Sequence, residues 1–172
     1  MEKYTLNFGK FRQYDKKFIT EIDGSSVNSV AFSGETLYIA TAENTFEYSE
    51  GNLKKLSFKA EKLFSENGKL YMSQGNTLSE IKNGKTKKLA SFDSQVVDIS
   101  IALDGSFWLI TEDTLYLKDG SEFKEIVGLP SEVVALAALD NKAKYAETVY
   151  VGSSVEGLLS MKGKRPLGRA SS

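Results

Sequence analysis

The sequence predicts an all-β fold built from repeated four-stranded units, and three observations carry that prediction. An apolar residue followed by a large aromatic recurs at Leu37-Tyr38, Leu70-Tyr71, Phe107-Trp108 and Val149-Tyr150, at intervals of 33, 37 and 42 residues. A glycine follows the first residue of each pair by 13 or 14 positions, at Gly51, Gly84, Gly120 and Gly163. Between these landmarks lie short alternating stretches rich in β-branched and aromatic residues, separated by turn dipeptides. A fixed period marks a chain of stacked units. Four strands in about 35–40 residues match a propeller blade, so the expected fold is a β-propeller-like array of about four blades plus an N-terminal half blade.

The elements follow in order. Residues 8–22 read as a half unit, with Phe11 to Tyr14 and Phe18 to Ile22 as third and fourth strands around a turn at Asp15 to Lys17. The complete blades are expected at 27–58, 60–92, 96–127 and 133–163, within a single domain spanning 1–163. The first blade turns at Ser33-Gly34 and Glu50-Gly51, the second at Asn67-Gly68 and Asn83-Gly84. In the third, Val96 to Ile101 is the first strand, Asp104-Gly105 a tight hairpin turn, and Phe107 to Thr111 the second strand. Leu115 to Leu117 and Phe123 to Ile126 follow as the third and fourth, joined at Asp119-Gly120. Glycine suits these turns because it reaches positive φ without steric cost. In the fourth blade, Val133 to Leu139 (VVALAAL) suits a buried strand or a short helix, and a longer polar loop covers Asp140 to Glu147. The last fourth strand would fall in a basic segment that contains proline and has few apolar residues, so 164–172 is expected to be a flexible tail.

The first strand of a blade lies innermost and is the most continuously apolar. The fourth is an exposed edge, marked here by Lys16-Lys17, Lys54-Lys55 and Lys87-Lys88. Edge lysines discourage strand-to-strand aggregation, and nearby acidic residues leave no basic excess for an anion-binding ring.

Ala102 to Thr111 (ALDGSFWLIT), followed by Leu115-Tyr116-Leu117, resembles the blade of two-component-regulator-type propellers, as do Thr148 to Ser153 with Gly157 to Leu159. The resemblance spans roughly residues 25 to 163, and the first two units depart from it at Ala42-Glu43-Asn44 and Gly75-Asn76. It implies a ligand-sensing or protein-docking module. It carries over no functional residue, because its motif is structural.

Composition narrows the chemistry. The 172 residues include no Cys and no His, which excludes Ser-His-Asp and Cys-His nucleophile systems, zinc fingers and disulfide frameworks. A formal net charge of -1 gives no argument for nucleic acid or membrane as a partner. Without Cys, a secretory-type N-terminal apolar run or a glycosylation sequon, a cytoplasmic location is expected. No P-loop, EF-hand or dinucleotide fingerprint occurs, so no cofactor or metal is expected. A sialidase reading fails on its Asp box: Asp104 and Gly105 are adjacent where the motif needs a residue between them. Arg12, Arg165 and Arg169 are the only arginines and lie near the ends. They supply no central anion clamp.

The expected function is therefore non-catalytic binding of a protein or peptide partner, or sensing of a ligand, through loops at one end of the array. Equivalent loops at Thr41 to Thr45, Gln74 to Thr77, Glu112 to Thr114 and Ser153 to Glu156 supply the candidate contact residues Glu43, Asn44, Asn76, Glu112, Asp113, Ser154 and Glu156. The acid pair Glu112-Asp113 could serve acid/base chemistry or bind a hard cation, but ordinary polar loop residues explain it better. Trp108, Tyr38, Tyr71 and Tyr150 fit packing between blades better than a stacking platform. The rival from another class is a carbohydrate-active or metal-dependent enzyme with its site in the central channel. Two closures are open: a small ring sealed by the N-terminal half unit, or part of a larger ring with an open flank. The second is preferred, and it implies self-association or a partner half.

Overall fold

A computed structural model describes residues 22, 26–102, 105–129, 132–139 and 147–163. The half blade expected at 8–22 (Ile22 aside), Asp104, the polar loop at 140–146 and the tail at 164–172 lie outside the described residues. Every other described segment folds into strands and turns, in four separate antiparallel sheets.

The first sheet holds β1 (Val27–Ser33), β2 (Thr36–Thr41), β3 (Thr45–Ser49) and β4 (Asn52–Lys55). The second holds β5 (Lys62–Glu66), β6 (Lys69–Gln74), β7 (Thr77–Lys82) and β8 (Lys85–Ser91). The third holds β9 (Val96–Ile101), β10 (Phe107–Thr111), β11 (Thr114–Asp119) and β12 (Glu122–Gly128). The fourth holds β13 (Val133–Leu139), β14 (Glu147–Ser153) and β15 (Gly157–Gly163), three strands among the described residues. In each sheet spatial order follows chain order, as hairpin connections dictate. VVALAAL is a strand, not a helix.

Turn chemistry sets these hairpins. Glu50-Gly51, Asn67-Gly68 and Asn83-Gly84 have positive φ at both central residues, the type I′ requirement. Gly34, Gly75 and Gly120 take positive φ at the first central position only, the type II′ pattern. The turn expected at Asp104-Gly105 includes a residue outside the described ones; beside it, Ile101 pairs with Phe107, Ala102 N donates to Ser106 O and Gly105 N donates to Ala102 O.

The sheets stack through their first strands, β1 beside β5, β5 beside β9 and β9 beside β13. Side chains alternate across a strand, so the recurring pair splits between two junctions. Leu70, Phe107 and Val149 pack on the preceding sheet, while Tyr38, Tyr71 and Trp108 pack on the following one. Three apolar cores result. Ala31, Ala40, Leu63, Leu70 and Met72 fill the first junction. Tyr71, Leu78, Phe92, Ile99, Phe107 and Leu109 fill the second, where Tyr71 meets Phe107 edge-on at 5.3 Å between centroids. Trp108, Ile110, Leu115, Leu136, Val149 and Val151 fill the third. Tyr71 and Trp108 are thus core residues, not members of an exposed stacking platform.

The outer strands behave as edges. Lys54, Lys55, Lys87 and Lys88 are exposed on β4 and β8, and Lys54 pairs with Glu47 at 2.7 Å. No helix among the described residues is long and apolar enough to cross a membrane.

A candidate docking cleft at the strand-entry end

The turns between second and third strands lie at the end where the chain enters each first strand and leaves each fourth. Ala42 N donates to Ser26 O, Glu112 N to Gln95 O, and Ser154 N to Glu132 O. Phe92 N donates to Asn76 O, and Leu129 N to Asp113 O, as the chain leaves the second and third sheets. The candidate loops therefore share one end of the array, as the repeat alignment expects.

Each second strand carries a buried hydroxyl at its end: Thr41, Thr111 and Ser153 are last residues, and Ser73 is the last but one. Thr41 Oγ1 accepts from the N–H groups of Glu43 and Asn44 and donates to Asn44 O. Thr111 Oγ1 donates to Asp113 Oδ1 at 3.0 Å, and Ser153 Oγ accepts from Val155 N and Glu156 N. The bonds at Thr41 and Ser153 satisfy turn amides that would otherwise be desolvated without partners, while the Thr111 bond fixes the Asp113 carboxylate. In the second sheet the turn is the two-residue Gly75-Asn76, too short to curl back, and Ser73 Oγ has no partner among the described residues.

Several candidate residues build turns. Asn76 Nδ2 donates to Phe92 O at 2.7 Å, pinning the exit of the second sheet. Asp113 accepts from the hydroxyls of Ser94, Thr111 and Thr114, which hold its carboxyl below the ordinary range. Ser154 Oγ donates to Glu132 Oε2 at 2.7 Å. Glu43, Glu112 and Glu156 are exposed, and Asn44 is half-buried in its turn.

Of the seven candidates, Glu112 lines a cleft among the described residues. That cleft, about 370 Å³, is bounded by Lys62, Gln95, Val97, Glu112, Glu132, Val133 and Val134. Its walls are the entries of β5, β9 and β13 together with the turn after β10. Val97 and Val133 are buried, whereas Val134 is 57% exposed. Glu132 has φ 61, a left-handed conformation rare for a non-glycine residue, which costs about 1–2 kcal/mol. The bond from Ser154 N to Glu132 O holds it there. Among the described residues no group of three or more acidic side chains could hold a metal ion.

Lys62, Gln95 and Glu132 belong to no motif that the repeat marks. Lys62 has one retrospective signal. It shares a register position with Ser29 and Asp98, and all three reach the next first strand. Ser29 Oγ exchanges bonds with Leu63 N and O, Lys62 Nζ donates to Val97 O at 3.1 Å, and Asp98 Oδ2 accepts from Leu136 N at 2.9 Å. Further along the same strands, Ser100, two residues beyond Asp98, accepts from Ala138 N, and Glu66, four beyond Lys62, accepts from Ile101 N. Polar side chains thus satisfy the free edge of each inner strand. Burial pushes the Asp98 and Glu66 carboxyls up, the N–H bonds pulling each partly back.

With this geometry in place, comparison with known proteins settles the fold. No family model matches the chain, and no curated protein sequence matches it. Solved structures do. An ancestral GH74 enzyme superposes with a TM-score of 0.66 at 12% identity, over 88% of this chain and 27% of its own. The extracellular domain of a hybrid two-component system from B. thetaiotaomicron gives 0.60 at 17% identity, over 94% of this chain and 24% of its own. The sheets are propeller blades. They resemble those of two-component-system propellers, as the third-blade motif implied. YCF48 bound to D1 peptide gives 0.51 at 8% identity, over 85% of this chain and 57% of its own. The chain thus spans about a quarter of the first two proteins and little more than half of the third. The neighbours include both enzymes and binding domains, and at these identities the likeness shows the fold alone.

Proposed function

We propose that this blade array is a non-catalytic docking module that holds a protein or peptide segment at its strand-entry end. One observation carries the reading: the cleft combines an apolar floor of valines with a rim of Lys62, Gln95, Glu112 and Glu132. Apolar lining with a few polar groups that fix orientation is the usual composition of a binding cleft. Two rim carboxylates against one ammonium favour a segment that carries lysine or arginine beside an aliphatic residue. Glu43, Asn44, Asn76, Asp113, Ser154 and Glu156 extend the contact surface across neighbouring turns. The propellers YCF48, bound to D1 peptide, and BBS1N, in complex with ARL6DN, lend support by analogy of fold.

Fluorescence anisotropy with a labelled peptide of alternating lysine and leucine tests this. The lysine peptide should bind more tightly than its glutamate counterpart. Glu112→Gln combined with Glu132→Gln should weaken it about fivefold, two modest charge interactions. Glu122→Gln, at the opposite end of the third blade, should leave it unchanged. Equal binding of the two peptides, or indifference to the double substitution, contradicts the proposal.

A second reading has its own observation. Asp98 and Glu66, both with raised carboxyls, lie on adjacent inner strands within electrostatic reach. A glycosidase needs a carboxyl held protonated as general acid. Against this, both carboxylates already bridge backbone amides of the next blade. Release of reducing sugar from a polysaccharide panel, abolished by Asp98→Asn, would move the assignment to an enzyme.

A further inference from the structure

Polar side chains tie each first strand to the next, and the seam between β9 and β13 lacks one donor that its neighbour has. Both strands carry an extra residue at their entry. Val97 lies between Val96, opposite Thr111, and Asp98, opposite Ile110; Val134 lies between Val133, opposite Ser153, and Ala135, opposite Gly152. A bulge leaves its extra residue outside the ladder. In β9 the Val97 carbonyl faces the second sheet and accepts from the Lys62 ammonium at 3.1 Å. Val134 holds the same bulge position in β13, so its carbonyl faces the third sheet. There the register of Lys62 is held by Asp98. A carboxylate accepts hydrogen bonds and has none to donate. Asp98 accepts from Leu136 N at 2.9 Å and Ile99 N at 2.8 Å, and Ser100 accepts from Ala138 N. No side chain among the described residues donates to Val134 O.

We propose that the cleft at this seam is a primary-ammonium site, filled by a lysine side chain of the docked segment. The ammonium donates to Val134 O as Lys62 donates to Val97 O one seam earlier. Val134 lines the cleft, and Glu112 and Glu132 on its rim, with Asp98 next along β9, supply the counter-charge. Val97 and Val133 give the aliphatic stem an apolar wall. The chain thus contains its own template for the interaction, in Lys62. A charge-assisted hydrogen bond needs an N–H as well as a charge, so a quaternary ammonium does not replace it. The inference rests on the docking reading for the source of the ammonium, and adds the atom that receives it.

Carbonyl-carbon NMR of the intact, labelled chain tests this with butylammonium chloride as the probe. The Val134 carbonyl resonance should move along a saturable curve. Butyltrimethylammonium, with the same charge and no N–H, should leave it in place, a comparison that needs no variant. Asp98→Lys puts an ammonium in the register of Lys62 and should abolish the response, with far-ultraviolet circular dichroism showing that the variant folds. The lysine-leucine peptide should displace butylammonium. Acetylating its lysines should prevent the displacement, and acetylating its N-terminus should not. A silent Val134 carbonyl, an equal response to the quaternary ion, a folded Asp98→Lys chain that still responds, or displacement by the lysine-acetylated peptide would each overturn the inference. A peptide that binds while Val134 stays silent removes this inference and leaves the docking reading standing. A butylammonium response without peptide binding does the reverse.

Discussion

At the residue scale, the inner-strand carboxylates give the fold a pH dependence of definite sign. Asp98 and Glu66 are held above their ordinary pKa mainly by burial, so the folded chain binds their protons more tightly than the unfolded chain does. Their contribution to stability therefore falls as pH rises from the ordinary carboxylate value through the raised one. Asp98→Asn should flatten that part of a stability-against-pH curve measured by urea unfolding; an unchanged slope would show that the buried charge is immaterial. Asp98→Ala should cost about 1–3 kcal/mol, because Leu136 N–H and Ile99 N–H lose their acceptors. Asp113 acts in the opposite sense. Its lowered pKa stabilises the fold above the ordinary value, and that contribution is lost as pH falls through the lowered one. Ser73 offers a second contrast. Its hydroxyl is buried without a partner among the described residues, so Ser73→Ala should be neutral or stabilise by up to about 1 kcal/mol, whereas Thr41→Val should cost about that much. Equal costs in thermal unfolding would contradict this account of the turn hydroxyls. None of these roles was readable from the sequence. A Ser, Lys or Asp on a strand shows no sign of whether a neighbouring blade offers it an amide.

At the scale of elements, the sequence was informative because β-structure is written locally, in alternation and turn chemistry. Val96–Ile101 and Phe107–Thr111 form as expected, and Asn67-Gly68 and Asn83-Gly84 turn as their residue types require. Glu50 is the least suited residue among the type I′ turns, with φ 51 on a side chain that disfavours the left-handed region. Glu50→Asn should raise stability by about 0.5–1 kcal/mol, read as an increase in the melting temperature without change in the circular dichroism spectrum. A decrease would mean that the Glu50 side chain makes a compensating interaction.

At the scale of the whole molecule, one repeat position should have different energetic weights along the array. Trp108 is 5% exposed between the third and fourth sheets, so Trp108→Ala should cost about 3–5 kcal/mol, and Tyr71→Ala a similar amount. Tyr150 holds the same register on a face with no following sheet among the described residues. Tyr150→Ala in the monomeric chain should therefore cost about 1 kcal/mol or less. The candidate site was legible only in part for the same architectural reason. The repeat revealed that the turns converge on one end, and hence Glu112. The cleft itself is assembled from the entries of three successive blades, residues far apart in sequence that share no motif. The end at which a partner docks is the claim that most needs direct measurement. Amide hydrogen exchange, with and without the lysine-leucine peptide, reads it residue by residue. Protection should appear at Gln95, Glu112 and the segment from Glu132 to Val134. Protection at the opposite turns, around Gly34, Gly68 and Gly120, or none at all, would contradict the account.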